Sequence, residues 1–218
     1  MHNNLNNLQE IIKEIHSKNN NQNELVKIIA VSKTFGIEKI MPLIENGHIH
    51  FGENKVQEAQ LKWENVLNKY KNLKLHMLGK LQSNKVKYAV KLFDYIHSID
   101  TIKLAKKIDE EQQKINKNLG LFIQVNIDNE DQKNGIALNE LESFHNILAN
   151  EMKMNVVGLM CIPSINSNND YAFGEMKKMQ DKLKLRELSM GMSSDYLKAI
   201  KYGSTFIRIG SKIFGKRT

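Results

Sequence analysis

Lys33 closes the apolar run Ile28-Ile29-Ala30-Val31-Ser32 near the front of the chain, and Arg208-Ile209-Gly210-Ser211 closes a second run, Ser204-Thr205-Phe206-Ile207, near its back. A desolvated lysine can form an imine with an aldehyde and loses its charge in doing so. Gly210 and Ser211 offer backbone and hydroxyl donors to an anion. Ser193 stands just before a helix expected from about Asp195, so its hydroxyl and that helix's free N–H groups could serve the same anion. Arg208 alternates with Ile207 and Ile209, which points it into the interior or mouth of the fold, where a guanidinium demands partners. These groups act together only if the two runs are neighbouring parallel strands.

The elements that must position them follow from the hydrophobic spacing, which alternates between strand and helix periods from end to end. Leu5, Leu8, Ile11, Ile12 and Ile15 predict an opening amphipathic helix at about 3–18, broken by the run Asn19-Asn20-Asn21-Gln22-Asn23. Strands are predicted at 27–31, 49–52, 75–79, 95–98, 119–127, 156–160, 187–190 and 204–209. Helices are predicted between them at 37–45, 56–70, 83–90, 102–116, 139–150, 170–184 and 195–202. Eight such alternations predict an α/β chain folded as a single (β/α)8 TIM barrel rather than an open doubly wound sheet. At 218 residues the chain is near the short end for that fold, so one domain over 1–218 is expected.

In such a barrel the working groups sit at the C-terminal ends of the strands, and phosphate is often held after strands seven and eight. The small and polar residues fall there: Lys33, Gly52-Glu53-Asn54, Gly79 through Asn84 including Ser83, Met190-Gly191-Met192-Ser193, and Gly210-Ser211. A phosphate at one end, an aldehyde at the other and a heteroaromatic ring between them describe pyridoxal 5′-phosphate (PLP). His76, in the third strand, either lines that pocket or is a hydrogen-bonded core histidine; Met160, Met190 and Met192 lie at strand ends, where they could pack on the ring. His48 and His50 share a strand face, but with no third ligand nearby they read as a core or rim pair rather than a metal site. Cys161 reads as a small buried residue rather than a reactive thiol. Gly210 to Lys216 superficially repeats the P-loop spacing, yet Arg217 follows the lysine and no helix is expected before Thr218.

Ala30-Val31-Ser32-Lys33-Thr34, Phe51-Gly52-Glu53-Asn54, Gly79-Lys80-Leu81-Gln82-Ser83-Asn84-Lys85, Gly158-Leu159-Met160, Leu188-Ser189-Met190-Gly191-Met192-Ser193 and Arg208-Ile209-Gly210-Ser211 occur in an order that resembles the pyridoxal phosphate homeostasis protein family over about residues 24–215. The resemblance implies a barrel similar to the N-terminal domain of alanine racemase, with PLP held as an aldimine on Lys33. It further implies phosphate contacts at Ser193, Gly210 and Ser211, with Arg208 near the pyridine nitrogen and Asn54 close by. The chain departs from common family patterns at Gly36, Leu75 and Ser211, where proline, an aromatic and threonine are frequent; Ser211 keeps the hydroxyl. The family is associated with cofactor balance, so the resemblance implies a carrier that buffers PLP or exchanges it with PLP-dependent apoenzymes, without turnover. The alternative is a PLP-dependent amino-acid racemase, whose second acid/base comes, in alanine racemase, from an additional domain expected to be absent here.

Composition excludes other classes. The formal charge of +8 and a pI near 9.3 raise nucleic acid as a partner, but the lysines are spread along the chain among acidic residues, with no zinc-finger spacing or aromatic-basic RNA motif. No apolar stretch approaches the ~20 residues of a membrane span, and the start Met1-His2-Asn3-Asn4 lacks the apolar core of a secretory signal. The single cysteine cannot form an internal disulfide, which agrees with the cytoplasmic location expected; a monomer is expected.

Overall fold

Eight parallel strands close into a ring in this computed structural model, which describes residues 3–18, 26–130, 132–164 and 168–215. In chain order the strands are β1 Lys27–Val31, β2 His50–Glu53, β3 Lys74–Met77, β4 Tyr95–Ile99, β5 Gly120–Asn126, β6 Ile136–Ala137, β7 Val156–Cys161, β8 Glu187–Met192 and β9 Phe206–Ile209. They are ordered β4-β3-β2-β1-β9-β8-β7-β5, and β4 pairs with β5 to close the barrel. The two-residue β6 adds only to the edge of β5, at Val125 and Asn126; it is too short to leave a periodic signal. The helices are α1 Asn3–Lys18, α2 Ile37–Glu45, α3 Val56–Lys69, α4 Val86–Leu92, α5 Ile102–Lys114, α6 Leu141–Asn146, α7 Asn169–Lys182, α8 Tyr196–Lys201 and α9 Ser211–Phe214.

Strand alternation divides the core in two. Ile29, Val31, Leu78, Phe122, Val157, Met160 and Phe206 fill the barrel. Ile28, Ala30, Phe51, Met77, Leu188 and Ile207 pack outward against the helices. Register places the two key ends side by side, since β1 pairs with β9 through Ile29 opposite Arg208 and Ala30 opposite Ile209.

Three helical predictions need correction. The segment 83–90 begins as a 3-10 turn at Ser83–Lys85 before α4. The segment 139–150 splits into a 3-10 turn, α6 and one π-helical turn at Ile147–Glu151, where Met152 N–H reaches back to the Ile147 carbonyl at 2.9 Å. Where no helix was expected after the last strand, α9 makes one turn, with the N–H groups of Ile213 and Phe214 both donating to the Gly210 carbonyl. Packing supports that turn: Ile213 and Phe214 are buried, and Phe214 stacks on Phe35 at 5.1 Å. The break expected at 19–23 and the residues Asn166-Ser167 lie outside the described residues.

A buried ion pair fixes the end of β2. Glu53 is fully enclosed, and its Oε1 accepts from Ser32 Oγ at 2.8 Å, Lys62 Nζ at 2.9 Å and Trp63 Nε1 at 3.0 Å. Removing one partner from such a pair leaves an uncompensated charge. Lys62→Met is expected to lower stability by ~3–5 kcal/mol, while adding Glu53→Gln restores part of the loss; urea unfolding midpoints of both variants measure the difference.

The barrel interior also encloses His76 and His97, with His50 half-buried at the first position of β2. Burial pushes His76 and His97 well below the ordinary histidine value. Burial also holds His48 and His50 down at about 4, and the charges of His48, Lys27 and Lys74 add to the effect at His50. Unfolded histidines take up protons from ~6.5 downward, whereas folded His48 and His50 resist until about 4. The unfolded state therefore binds more protons within that window, and stability falls with falling pH. Thermal melts from about pH 7 to about pH 4.5 are expected to show a steep loss of Tm, shallower in His50→Gln.

Candidate functional site

A cavity of about 420 Å³ opens at the C-terminal ends of β1, β2, β8 and β9, within the size range of small-molecule sites. Lys33, Asn54, Ser193, Arg208, Gly210 and Ser211 all line it, so six residues singled out from the sequence converge.

Lys33 reaches the cavity through a strained turn. Ser32 is turned outward onto Glu53, and the next residue in the chain turns to the opposite side. Phe35 N–H donates to the Ser32 carbonyl at 3.2 Å, and Thr34 between them has φ 68°. A β-branched residue in the left-handed region costs on the order of 1–3 kcal/mol and persists only when its surroundings hold it. They do so here: Thr34 N–H donates to Glu58 Oε1 at 2.5 Å, and Lys62 Nζ donates to the Ser32 carbonyl at 2.8 Å.

Two turns form the opposite wall. Gly191 has φ +90°, and a Cβ there would lie 2.5 Å from Ala199 Cβ and 3.0 Å from Tyr196 Cα, so only glycine lets β8 turn under α8. Asp195 secures this turn, accepting from Met192 N–H at 2.6 Å and Asn169 Nδ2 at 3.1 Å. Ser193 and Ser194 are thereby set against Gly210 and Ser211 across the cavity, and Lys212 N–H donates to Ser193 Oγ at 3.4 Å. Hydroxyl-bearing residues and a glycine from two loops line one volume, a composition that suits an anion.

Arg208 is buried beneath them. Its Nη1 donates to the Ser189 carbonyl at 2.5 Å and Ser189 Oγ at 2.8 Å, and its Nη2 donates to the Cys161 carbonyl at 2.8 Å. The expectation of a partnered inward arginine is met by carbonyl dipoles; among the described residues no carboxylate pairs with it. Burial lowers its pKa from the ordinary value. Cys161 is buried, as expected, and burial pushes its thiol up to about 12, leaving it a poor nucleophile.

Four other candidates are not on the cavity wall. His76 is sealed lower in the barrel, bonded to His50 and His97. Ser83 is exposed at its 3-10 turn, beside Lys103 and Lys106. Met160 points into the barrel but belongs to its packed interior. Met190 faces outward, because Ser189 takes the inward position of β8; Met192, two residues on, does line the cavity. The sequence reading missed Val31, Phe35, Leu78, Ile162, Ser194 and Gly215. Strand parity carries a signal for Val31 and Leu78, each two residues beyond an inward-facing side chain. His48 and His50 form a core pair, with His48 Nε2 against the His50 carbonyl at 2.9 Å, and among the described residues no cluster could hold a metal ion. No helix among them is long and apolar enough to cross a membrane.

Residues 4–218 match the family model described as alanine racemase, N-terminal domain. The pyridoxal phosphate homeostasis protein of Haemophilus influenzae is 36% identical over 224 residues, covering 98% of this chain and 94% of that relative. Its namesake in Escherichia coli K12 is 36% identical over 203 residues, covering 89% and 87%. PipY of Synechococcus elongatus PCC7942, solved without PLP, superposes with a TM-score of 0.86 at 33% identity over 96% of this chain and 99% of its own. The PLP-bound form of PipY gives 0.82 at the same identity, over 94% of this chain and 100% of its own. Alanine racemase of Clostridium difficile 630 shares the fold alone, with a TM-score of 0.75 at 16% identity over 98% of this chain and 57% of its own. Whole-length identity to these relatives, together with the matching barrel, shows that this chain belongs to the pyridoxal phosphate homeostasis protein family.

Proposed function

We propose that this protein binds PLP reversibly in the Lys33 cavity and serves intracellular PLP homeostasis, holding the cofactor and passing it to apoenzymes without turnover. The observation that carries this reading is the convergence of a lysine amine, two-loop anion donors and a carboxylate-free arginine on one cavity. PLP-bound PipY, with the same fold, supports it.

The lining residues fit the cofactor part by part. Ser193, Ser194, Gly210 and Ser211 would take the phosphate, while Val31, Leu78, Ile162 and Met192 supply apolar surface for the ring. Arg208 has donors but no acceptor, so it favours an unprotonated ring nitrogen and weakens the ring as an electron sink. Lys33 would attach the aldehyde as an imine, with loss of one water. The bound aldehyde then supplies an electrophile that free amines can exchange onto.

Racemisation asks for more than this arrangement offers. It needs an acid/base group on each face of the ring, yet among the described lining residues only Lys33 and Arg208 are titratable side chains. Deuterium exchange at the α-carbon of L- and D-alanine in the presence of PLP-loaded protein is expected to be far slower than in a dedicated racemase. Rapid inversion detected by NMR would replace the carrier reading with the enzyme.

Lys33→Ala is expected to abolish the near-visible absorbance of the loaded protein while leaving the fold intact. Borohydride reduction followed by peptide mapping checks the site, since label on another lysine with none on Lys33 would overturn it. Ser193→Ala is expected to weaken PLP binding by ~1.5–3 kcal/mol, the usual range for a hydrogen bond to a charged group. Pyridoxal lacking phosphate serves as the control: it should bind far more weakly than PLP to the unaltered protein.

A further inference from the structure

A chain of hydrogen bonds runs from the floor of the cavity to the opposite end of the barrel. Arg208 Nη1 meets Ser189 Oγ at 2.8 Å, and Ser189 Oγ meets His97 Nδ1 at 2.9 Å. His97 Nε2 meets His76 Nδ1 at 2.9 Å, and His76 Nε2 meets His50 Nδ1 at 3.0 Å. These residues belong to β9, β8, β4, β3 and β2. Aromatic rings sheathe the chain: His76 stacks on Tyr95 at 4.5 Å, His97 stacks on Phe122 at 4.1 Å, and Phe206 stands edge-on to His50.

The order of protons along it follows from one end. Arginine only donates, so the Ser189 hydroxyl spends a lone pair on Arg208. Its hydrogen then points to His97 Nδ1; in the reverse order that buried hydrogen would lose its acceptor, at a cost of ~1–3 kcal/mol. A neutral imidazole that accepts at Nδ1 carries its proton on Nε2. His97 thus donates to His76, and His76 by the same logic donates to His50. All three rings are Nε2–H tautomers, aligned in one direction. At the other end, Arg208 is left with its Nε–H and one Nη2–H beyond the bonds to Ser189 and Cys161.

We propose that Ser189, His97, His76 and His50 are positioning residues, forming a one-directional hydrogen-bond wire that locks the Arg208 guanidinium in the cavity floor, with Arg208 in turn fixing the tautomer of all three histidines. The guanidinium is held by a series of fixed dipoles instead of a carboxylate, which leaves its charge available to what the cavity binds. The consequence for PLP affinity rests on the function proposed above; the proton order of the wire does not.

The test reads both. Long-range nitrogen–proton NMR on the histidine-labelled full chain without PLP, at a pH well above the titration of these rings, separates protonated from unprotonated ring nitrogens. The expected result is Nε2–H for His50, His76 and His97, assigned through single His→Gln variants. Ser189→Ala removes the hydroxyl and makes both directions accessible, so the three rings should shift together toward mixed tautomers. An Nδ1–H tautomer at His97 or His76 in the unaltered protein, or rings unmoved by Ser189→Ala, would overturn the wire. For the loaded protein, Ser189→Ala and His97→Phe are each expected to weaken PLP binding ~10-fold and to move its absorbance maximum, with Lys33 still the residue trapped by borohydride. His97→Gln, which keeps one donor and one acceptor, should recover most of the affinity. Variants that fold and bind PLP with unchanged affinity and spectrum would refute the positioning role. Failure of the unaltered protein to take up PLP would refute the functional reading, while the tautomer order would still judge the wire.

Discussion

A guanidinium enclosed in the barrel, with no carboxylate partner among the described residues, is the constraint around which the centre of this structure is arranged. Desolvating a charge is costly unless its hydrogens are satisfied, and Arg208 satisfies its Nη hydrogens on main-chain oxygens of two strands. That demand reaches the backbone. The pairing of β8 with β9 shifts register between Ser189 and Met192, beside the carbonyl that Arg208 uses. The same shift spans Gly191 and leads into the turn that presents Ser193, so the arginine and that turn adjoin one irregularity.

Lys33 depends on a different anchor. Glu53, Lys62 and Glu58 hold both the Ser32 carbonyl and the Thr34 amide, which keeps a left-handed threonine in place. These groups lie outside the barrel wall, under α3, whereas Arg208 is held from within it. The stacked pair Phe35 and Phe214 joins the two halves, running from the lysine turn to the helix that follows Gly210. Strain at Thr34 and the orphaned Glu53 Oε2 are costs carried at the rim. Both fall where the amine must be aimed, which is where strain is commonly retained.

Much of this was legible in the chain. Period changes give the eight strands, and small or polar residues just beyond Val31, Phe51 and Ile209 mark the rim that the structure assembles. What failed did so for identifiable reasons. Simple alternation cannot foresee the β8 irregularity: Met190 faces outward in step with Leu188, yet Met192, which would share that side, lines the cavity. By sequence His76 suits either a pocket or a core position, and the choice depends on His50 and His97, which lie on other strands. Hydrogen bonds between residues 50, 76, 97, 189 and 208 leave no local periodicity. The one-turn helix α9 escaped notice because its support comes from Phe35, far away in sequence.

The electrostatics of the cavity give the proposed holding role its thermodynamic form. Lys33 and Arg208 place two cationic side chains at one site, and no acidic side chain is among its described lining residues. A cavity lined by two cationic side chains and no acidic one selects for an anionic ligand. In the proposed role, the phosphate ester would be drawn to that cavity by both side chains. A ligand that binds the native state alone would stabilise the fold by mass action. Such a site needs no group to complete a reaction. In that role, release of the ligand would return the Lys33 amine and the Arg208 guanidinium to the same anion-selective cavity.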